Sequence, residues 1–218
     1  MGVSCVRGAR IAVSFDSDRC IHARWCVLGN PRVFVPGADG QWIFPDNADA
    51  NEVEAIVRRC PSGALTFERL DGAPQEAPPL VNSVRVRENG PLELHGDLHM
   101  PDGSRRLRAT VCRCGQSQAR PYCDGSHAKA GFVAPAERTP RESEPLDERG
   151  GPLLVSPRQD GPLALEGPQE ILSGGNSTLD RCTRSRLCRC GHSGNKPFCD
   201  GSHARVGFKA EGTNRLRE

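Results

Sequence analysis

Eleven cysteines and six histidines are the side chains of this 218-residue chain best suited to bind a transition metal. Eight of them form two runs with the same spacing, C-x-C-x8-C-x3-H. The runs consist of Cys112, Cys114, Cys123 and His127, and of Cys188, Cys190, Cys199 and His203. Because three thiolates and one imidazole complete a four-ligand set, we predict two Cys3His metal sites.

The two runs belong to a longer internal repeat. The sequence CRCGQSQARPYCDGSH at 112–127 returns as CRCGHSGNKPFCDGSH at 188–203, and NGPLELHG at 89–96 returns as DGPLALEG at 160–167. A match of this length indicates two copies of one structural unit.

Residue chemistry alone does not decide which metal these sites bind. Zinc accepts three cysteines and one histidine in a tetrahedron, although zinc modules usually begin with C-x2-C rather than C-x-C. Two-iron clusters accept histidine as well as cysteine ligands. The spacing therefore favours iron–sulfur chemistry and leaves a zinc-stabilised binding module as a remote alternative.

The literal pattern C-x-C-x2-S-x3-P-x-C-D-G-S-H resembles the signature of the CDGSH iron–sulfur domains, the NEET family. Both copies match at every position, including Ser117 and Ser193, Pro121 and Pro197. The resemblance implies one [2Fe-2S] cluster per copy, held by the three cysteines and the histidine in a small β-rich fold. It also implies that the two copies pair within one chain as a pseudo-dimer, so that the protein is a monomer.

A third set of thiols lies nearer the N-terminus. Cys20 and Cys26 are followed by Cys60-Pro61, while the position of a middle ferredoxin cysteine is occupied by Ala23. The segments DRCIHARWCVLGNPRVF and CPSGAL resemble the divergent single-cluster ferredoxin domain. This resemblance implies a cluster held by Cys20, Cys26 and Cys60. The missing cysteine favours [3Fe-4S]. The alternatives are [4Fe-4S] with a fourth ligand such as His22, and a ferredoxin-like domain that binds no cluster.

Two stretches rich in proline and polar residues divide the chain into three parts. Proline-rich polar stretches at 71–79 and 136–149 predict linkers, which separate a ferredoxin-like domain at 1–70 from CDGSH domains at 80–135 and 150–218. No apolar run is long enough for a spanning helix, and the first residues lack the apolar core of a signal peptide. We therefore expect a cytoplasmic protein with reduced thiols and no membrane partner.

Periodicity predicts the main elements. Residues 11–15 form a strand, residues 84–87 and 92–94 form a hairpin, and residues 107–111 form a strand that leads into Cys112. A helix is expected over 50–59, where Asp49 and Glu52 resemble a capping box. The Asp124–His127 segment predicts a helix with Asp124 as N-cap and His127 at its third position. The expected fold is an α+β ferredoxin-like domain followed by two β-rich CDGSH domains.

The predicted function is one-electron transfer by an iron–sulfur protein. The alternative is pH- or redox-controlled storage, transfer or sensing of clusters, because an imidazole ligand titrates near neutral pH. No catalytic motif is present, so we expect no enzyme activity; the partner would be a redox protein or an apo-acceptor protein. Arg105, Arg108 and Arg113 recur as Arg181, Arg184 and Arg189 and form either a basic collar or a solvated strand face. No aromatic stacking platform accompanies them, so we expect no nucleic-acid partner.

Overall fold

The structure is a computed structural model that describes residues 2–37 and 40–213. Two compact units make up the chain, Met1–Ala77 and Pro78–Glu218. The division between them falls within the stretch 71–79 that the sequence indicates as a linker. None of the helices in the described part of the chain is long and apolar enough to cross a membrane.

The first unit contains a three-stranded antiparallel sheet with two α-helices and two short 3-10 helices. Its strands, in the order β1-β2-β3, are β1 (Val3–Arg7), β2 (Ile11–Asp16) and β3 (Leu65–Arg69). Its helices are α1 (Trp25–Gly29), α2 (Ala50–Arg58) and the 3-10 helices Ser17–Arg19 and Pro45–Asn47. Strand β2 is the predicted strand, whereas β1 was not predicted because its side chains are mostly exposed and show no apolar alternation.

Helix α2 fixes the hydrophobic core of this unit. Val53, Ile56 and Val57 are buried on one face, as their helical spacing predicts. Asp49 caps the helix by accepting a hydrogen bond from the Asn51 N–H at 2.9 Å. The reciprocal half of the capping box is absent, because the Glu52 carboxylate accepts from the Asn30 side chain at 2.7 Å. The buried apolar residues of this core are Ile11, Val13, Val33, Phe34, Ile43, Ala50, Val53, Ile56, Val57 and Leu65.

The second unit is built on one six-stranded sheet. The first repeat supplies β4 (Ser83–Val86), β5 (Leu92–His99) and β6 (Arg105–Val111), and the second supplies β7 (Pro152–Pro157), β8 (Leu163–Leu172) and β9 (Thr178–Leu187). Each repeat ends in a single helical turn, α3 (Ser126–Lys129) or α4 (Ser202–Arg205). The predicted hairpin is the antiparallel pair β4 and β5.

Parallel strand pairs join the two repeats within this sheet. Each repeat pairs its own three strands antiparallel, but β4 also pairs parallel with β8, and β5 pairs parallel with β7. The first strand of each repeat therefore lies beside the second strand of the other. One core joins both repeats, since Val84, Leu94, Leu153 and Leu165 belong to the same buried cluster.

The segment 136–149 has no helix or strand, but it is hydrogen-bonded along β9. The Arg141 N–H donates to the Leu179 carbonyl at 2.7 Å, and the Arg181 N–H donates to the Ser143 hydroxyl at 3.2 Å. This connection is thus held against the sheet that it crosses.

Candidate metal centres

Strand ends position the ligands of the two CDGSH motifs. Cys112 directly follows β6, and the loop beyond it returns so that the Cys123 N–H donates to the Thr110 carbonyl at 3.0 Å. In the second repeat Cys188 follows β9, and the Cys199 N–H donates to the Arg186 carbonyl at 2.8 Å. The third cysteine of each motif therefore lies beside the strand that carries the first.

The signature serine and aspartate shape this loop. Ser117 and Ser193 donate hydrogen bonds to the carbonyls of Tyr122 and Phe198 at 2.7 and 2.6 Å. Asp124 accepts from the Gln118 N–H at 2.8 Å and from the Ser126 N–H at 3.0 Å. Burial alone would raise the pKa of Asp124, but these hydrogen bonds outweigh it and lower that pKa to about 2. The Asp124 carboxylate is therefore ionised at neutral pH and holds two parts of the loop together through these hydrogen bonds.

The helix after the third cysteine begins later than the sequence predicts. The N-cap is Gly125, in the left-handed conformation with φ 85°, so His127 is the second helical residue rather than the third. The prediction that Asp124 is the N-cap was wrong. Gly125 can adopt this conformation because it has no side chain, and its N–H points at the Cys123 sulfur, 3.4 Å away.

Within each motif the four predicted ligands form two pairs. The two sulfurs of the C-x-C step are 3.7 Å apart in the first motif and 3.9 Å apart in the second. The third cysteine sulfur lies 3.4 Å from the Nδ1 of His127 in the first motif and 3.3 Å from that of His203 in the second. A tetrahedral metal with sulfur ligands at about 2.3 Å holds those sulfurs about 3.8 Å apart.

These pairs do not merge into a single-ion site. In residues 2–37 and 40–213, no three histidine, cysteine, aspartate or glutamate side chains are grouped closely enough to bind one metal ion. Each repeat thus presents its four predicted ligands as two pairs of donors.

Backbone N–H groups surround the sulfurs. Gly115 donates to Cys112 at 3.3 Å and Gln116 donates to Cys114 at 3.4 Å, and similar bonds reach Cys190 and Cys199. The hydrogen bond between the two thiols lowers the pKa of Cys112 to about 6 and raises that of Cys114. Donors of this kind stabilise anionic sulfur, so the loop is prepared for metal-bound thiolates.

Two arginines inside the motifs are buried. Arg113 and Arg189 stand between the first two cysteines of each motif and are 1% exposed. Their guanidinium groups donate only to backbone carbonyls, which are those of Arg87, Gly90, Ala134 and Pro135 in the first repeat and of Arg158, Gly161, Ala210 and Glu211 in the second. A solvated strand face is therefore wrong for these two residues. Each arginine thus forms hydrogen bonds to two segments of its repeat. One is the turn of the first hairpin, and the other is the chain that follows the helical turn after the third cysteine.

The two motifs meet across the sheet. Gly115 has φ 80°, and a Cβ there would lie 2.7 Å from the carbonyl oxygen of Cys190; Gly191 faces the Cys114 oxygen in the same way. Burial lowers the pKa of Arg113 to about 10, and the negative charge of Cys188 in the other repeat opposes that shift. Each buried cation is thus close enough to the other repeat's cysteines to interact with them.

The three N-terminal cysteines line one cavity. Cys20, Cys26 and Cys60 lie around a cavity of about 410 Å³ whose wall also includes His22 and Ala23. The rest of the wall is largely apolar and contains Phe15, Trp25, Val27, Val35, Trp42 and Leu65. Burial raises the pKa of the Cys20 and Cys26 thiols. Three thiols that converge on a cavity of this size fit an iron–sulfur cluster.

Local backbone geometry brings these cysteines together. His22 and Arg24 have φ of 54° and 65°, so the chain between Cys20 and Cys26 coils tightly before α1 begins. Cys60 follows α2, and its sulfur accepts a hydrogen bond from the Leu65 N–H at 3.5 Å. The loop and the end of α2 thus supply opposite sides of one site.

The two remaining cysteines lie outside these sites. Cys5 is exposed on β1, and Cys182 is half-buried on β9 opposite Gln169. Burial raises the pKa of Cys182 to about 11. Neither residue lines the cavity of the N-terminal cysteines, in agreement with their lack of any ligand spacing.

Comparison with known proteins agrees with this division into sites. Residues 6–69 match the family of the divergent 4Fe-4S mono-cluster, and residues 89–128 and 160–204 match the iron-binding zinc finger of CDGSH type. The uncharacterized protein YjdI of Escherichia coli K12 is 38% identical over 66 residues, which are 30% of this chain and 86% of YjdI. YjdI of Escherichia coli O157:H7 matches equally well, and the similarity lies in the N-terminal domain. The chain is an iron–sulfur protein that belongs to the family of YjdI through its divergent 4Fe-4S mono-cluster domain, which is followed by two tandem segments that match the CDGSH type.

Proposed function

We propose that this protein transfers single electrons through two [2Fe-2S] clusters and a third cluster in the N-terminal domain. The observation that carries the proposal is the pairing of ligands, because two pairs of donors per motif match two iron ions rather than one zinc ion. The ligands would be Cys112, Cys114, Cys123 and His127 in the first motif and Cys188, Cys190, Cys199 and His203 in the second. Each bound cluster would supply a one-electron redox centre.

The histidines and the buried arginines set the charge of these sites. A neutral imidazole in place of a thiolate removes one negative charge, and Arg113 and Arg189 add fixed positive charge nearby. Both effects favour the reduced state, which carries one more electron. The two CDGSH sites are thus built to accept electrons.

The N-terminal cavity would hold the third cluster through Cys20, Cys26 and Cys60. With three cysteines this is [3Fe-4S], or [4Fe-4S] if His22, which also lines the cavity, is the fourth ligand. The surrounding domain would be of the ferredoxin-like α+β type, with α2 packed near the strands of its sheet.

The parallel strand pairs between the repeats support a pseudo-dimer within one chain. Pairing of β4 with β8 and of β5 with β7 gives each repeat the contacts that a second copy would otherwise supply. We therefore propose a monomer that works with a redox protein and has no enzyme activity of its own.

Anaerobic purification with analysis of iron, sulfide and zinc tests the proposal. We expect a coloured protein with about equal amounts of iron and acid-labile sulfide, and a [2Fe-2S] signal in the EPR spectrum of the reduced protein. EPR of the oxidised protein would show whether the N-terminal site holds [3Fe-4S]. A colourless protein that contains zinc would overturn it.

Cluster storage or delivery is the second candidate. It is favoured by the position of His127 and His203 at the rim of each site, where both side chains are half-buried rather than enclosed. Mixing the loaded protein with an apo-ferredoxin separates the two functions. Cluster transfer that is faster than reduction by a flavin reductase would favour delivery over electron transfer.

A further inference from the structure

The two CDGSH sites differ in how far they are exposed. Cys123 is buried in the first site, whereas the equivalent Cys199 is half-buried in the second. Gly125 is half-buried, but Gly201 is exposed. The pair formed by Cys199 and His203 is therefore the more accessible of the two equivalent pairs.

A basic cavity of about 450 Å³ opens on that pair. Cys199 and His203 line it together with Arg158, Gln159 and Arg186. Arg186 is exposed on β9, and none of the residues that the structure describes forms an ion pair with it. Arg158 is 44% exposed and lies 3.3 Å from the Glu166 carboxylate. One free and one partly compensated guanidinium thus flank the exposed ligands.

The first repeat lacks this positive charge at the matching positions. Its counterparts of Arg158, Gln159, Ala164, Glu166 and Arg186 are Arg87, Glu88, Glu93, His95 and Thr110. Two arginines and one glutamate in the second repeat thus replace one arginine and two glutamates in the first. The pair Lys209 and Asp160, 3.1 Å apart, is neutral overall and does not change this difference.

The structure assigns the second CDGSH site as the docking face for a one-electron carrier protein with an acidic surface, and we propose that Arg186 and Arg158 contact that surface. The assignment rests on the electron-transfer function proposed above. The carrier loses one electron as the site beside it gains one, or the reverse. Complementary charge of this kind speeds association at low salt.

The test uses the full chain loaded with its clusters. The protein is reduced anaerobically and mixed in a stopped-flow instrument with hexacyanoferrate(III), an anionic oxidant that becomes hexacyanoferrate(II) by taking one electron. Oxidation of the CDGSH clusters is followed by their visible absorbance and by freeze-quench EPR. The variants are Arg186→Gln and, as the matched control, Lys129→Gln, which removes one positive charge from an exposed position two residues beyond His127.

We expect Arg186→Gln to slow the reaction about threefold or more at low ionic strength, and this loss to disappear at about 0.5 M salt. With the cationic oxidant hexaamminecobalt(III) the same substitution should accelerate the reaction, which a merely structural change would not do. Lys129→Gln should have a smaller effect with both oxidants.

Equal effects of the two substitutions, or a larger effect of Lys129→Gln, would overturn the assignment while leaving the clusters and their redox activity in place. A protein without clusters would instead show no visible absorbance at all, so failure of the proposed function is recognised before the kinetics begin.

Discussion

The N-terminal site and the CDGSH sites place cysteine side chains in surroundings that differ in charge. Cys20, Cys26 and Cys60 face a largely apolar cavity, where burial raises the pKa of two of the thiols. The CDGSH cysteines lie among backbone N–H donors and beside the buried guanidinium groups of Arg113 and Arg189. Burial also raises the pKa of Cys123, to about 11, so the distinguishing feature of the CDGSH sites is the fixed positive charge of the two buried guanidinium groups.

The largest expected effect is the loss of one cluster when a predicted ligand of the N-terminal site is removed. Cys60→Ala should abolish the N-terminal cluster, because it leaves two cysteines at that cavity, and should leave the two CDGSH clusters intact. EPR and the iron content per chain measure the loss. Cys5→Ala is the control, since Cys5 is exposed on β1 and lies outside the sites. Loss of the [2Fe-2S] signal in Cys60→Ala would contradict the independence of the two units.

Removing a buried cation should destabilise only the second unit. Arg113→Met removes a donor from four backbone carbonyls. Those of Arg87 and Ala134 keep hydrogen bonds from the Gly90 and Asn89 N–H groups, whereas those of Gly90 and Pro135 lose the donor that the structure shows for them, and an unpaired buried carbonyl costs about 1–3 kcal/mol. We expect the free energy of unfolding of this unit to fall by about 2 kcal/mol or more, as measured by loss of visible absorbance and of circular dichroism in urea.

The chain provides two controls for that experiment. Arg105→Met removes an exposed arginine that is paired with Asp97, so it should cost about 1 kcal/mol or less. Both tryptophans, Trp25 and Trp42, belong to the first unit, so their fluorescence reports that unit alone and its midpoint should not move. Equal midpoints for the Arg113 and Arg105 variants would show that the buried arginine has no special role.

The same contrast predicts the order of the reduction potentials. The N-terminal cluster should have the lower potential, by on the order of 100 mV, because Arg24, which lines its cavity, is exposed to solvent, whereas the CDGSH sites have predicted histidine ligands and buried arginines. An EPR-monitored redox titration measures the order, and the Cys60→Ala variant identifies which signal belongs to the N-terminal site. If the N-terminal cluster had the higher reduction potential, the proposed effect of the buried arginines and the histidines would be contradicted.

Features that depend on residues close together in the sequence, such as motif spacing and helical periodicity, could be predicted. The repeat predicted eight CDGSH ligands, whose side chains the structure brings together in pairs, and helical spacing predicted the core face of α2. Strand β1 was missed because Val3 is 68% exposed and its strand shows no alternation. Arg113 and Arg189 were missed as buried residues because arginine is normally exposed, and only the fold brings carbonyls to them from more than twenty residues away.

The strand pairs that join the two repeats could not be predicted for a different reason. The parallel pairs β4 with β8 and β5 with β7 join residues that are far apart in sequence, and the two repeats have the same apolar pattern. Pairing within a repeat and pairing between repeats therefore look alike in the sequence. The difference in charge between the two CDGSH sites became meaningful only when Arg186 was placed beside Cys199 and His203.

The smallest expected change in stability concerns an ion pair of the first unit that does not line the cavity of the N-terminal cysteines. The guanidinium of Arg69 donates to Asp71 at 2.7 Å and holds the pKa of that carboxyl well below its usual range. A carboxyl whose pKa is lowered on folding contributes stability above its unfolded pKa of about 3.9, and this contribution is lost as the pH falls further. Asp71→Asn should therefore lower the urea midpoint, reported by tryptophan fluorescence, by the same amount from pH 8 to pH 5.

Below about pH 4 the difference between Asp71→Asn and the native chain should shrink, since the native carboxyl is then being protonated. Glu68→Gln is the control, because Glu68 is exposed on β3 and its substitution removes the same charge. The second unit does not contain this ion pair, so its visible absorbance should be unaffected by either substitution at neutral pH. A difference that persists unchanged into acid would mean that Asp71 contributes through packing rather than through its charge.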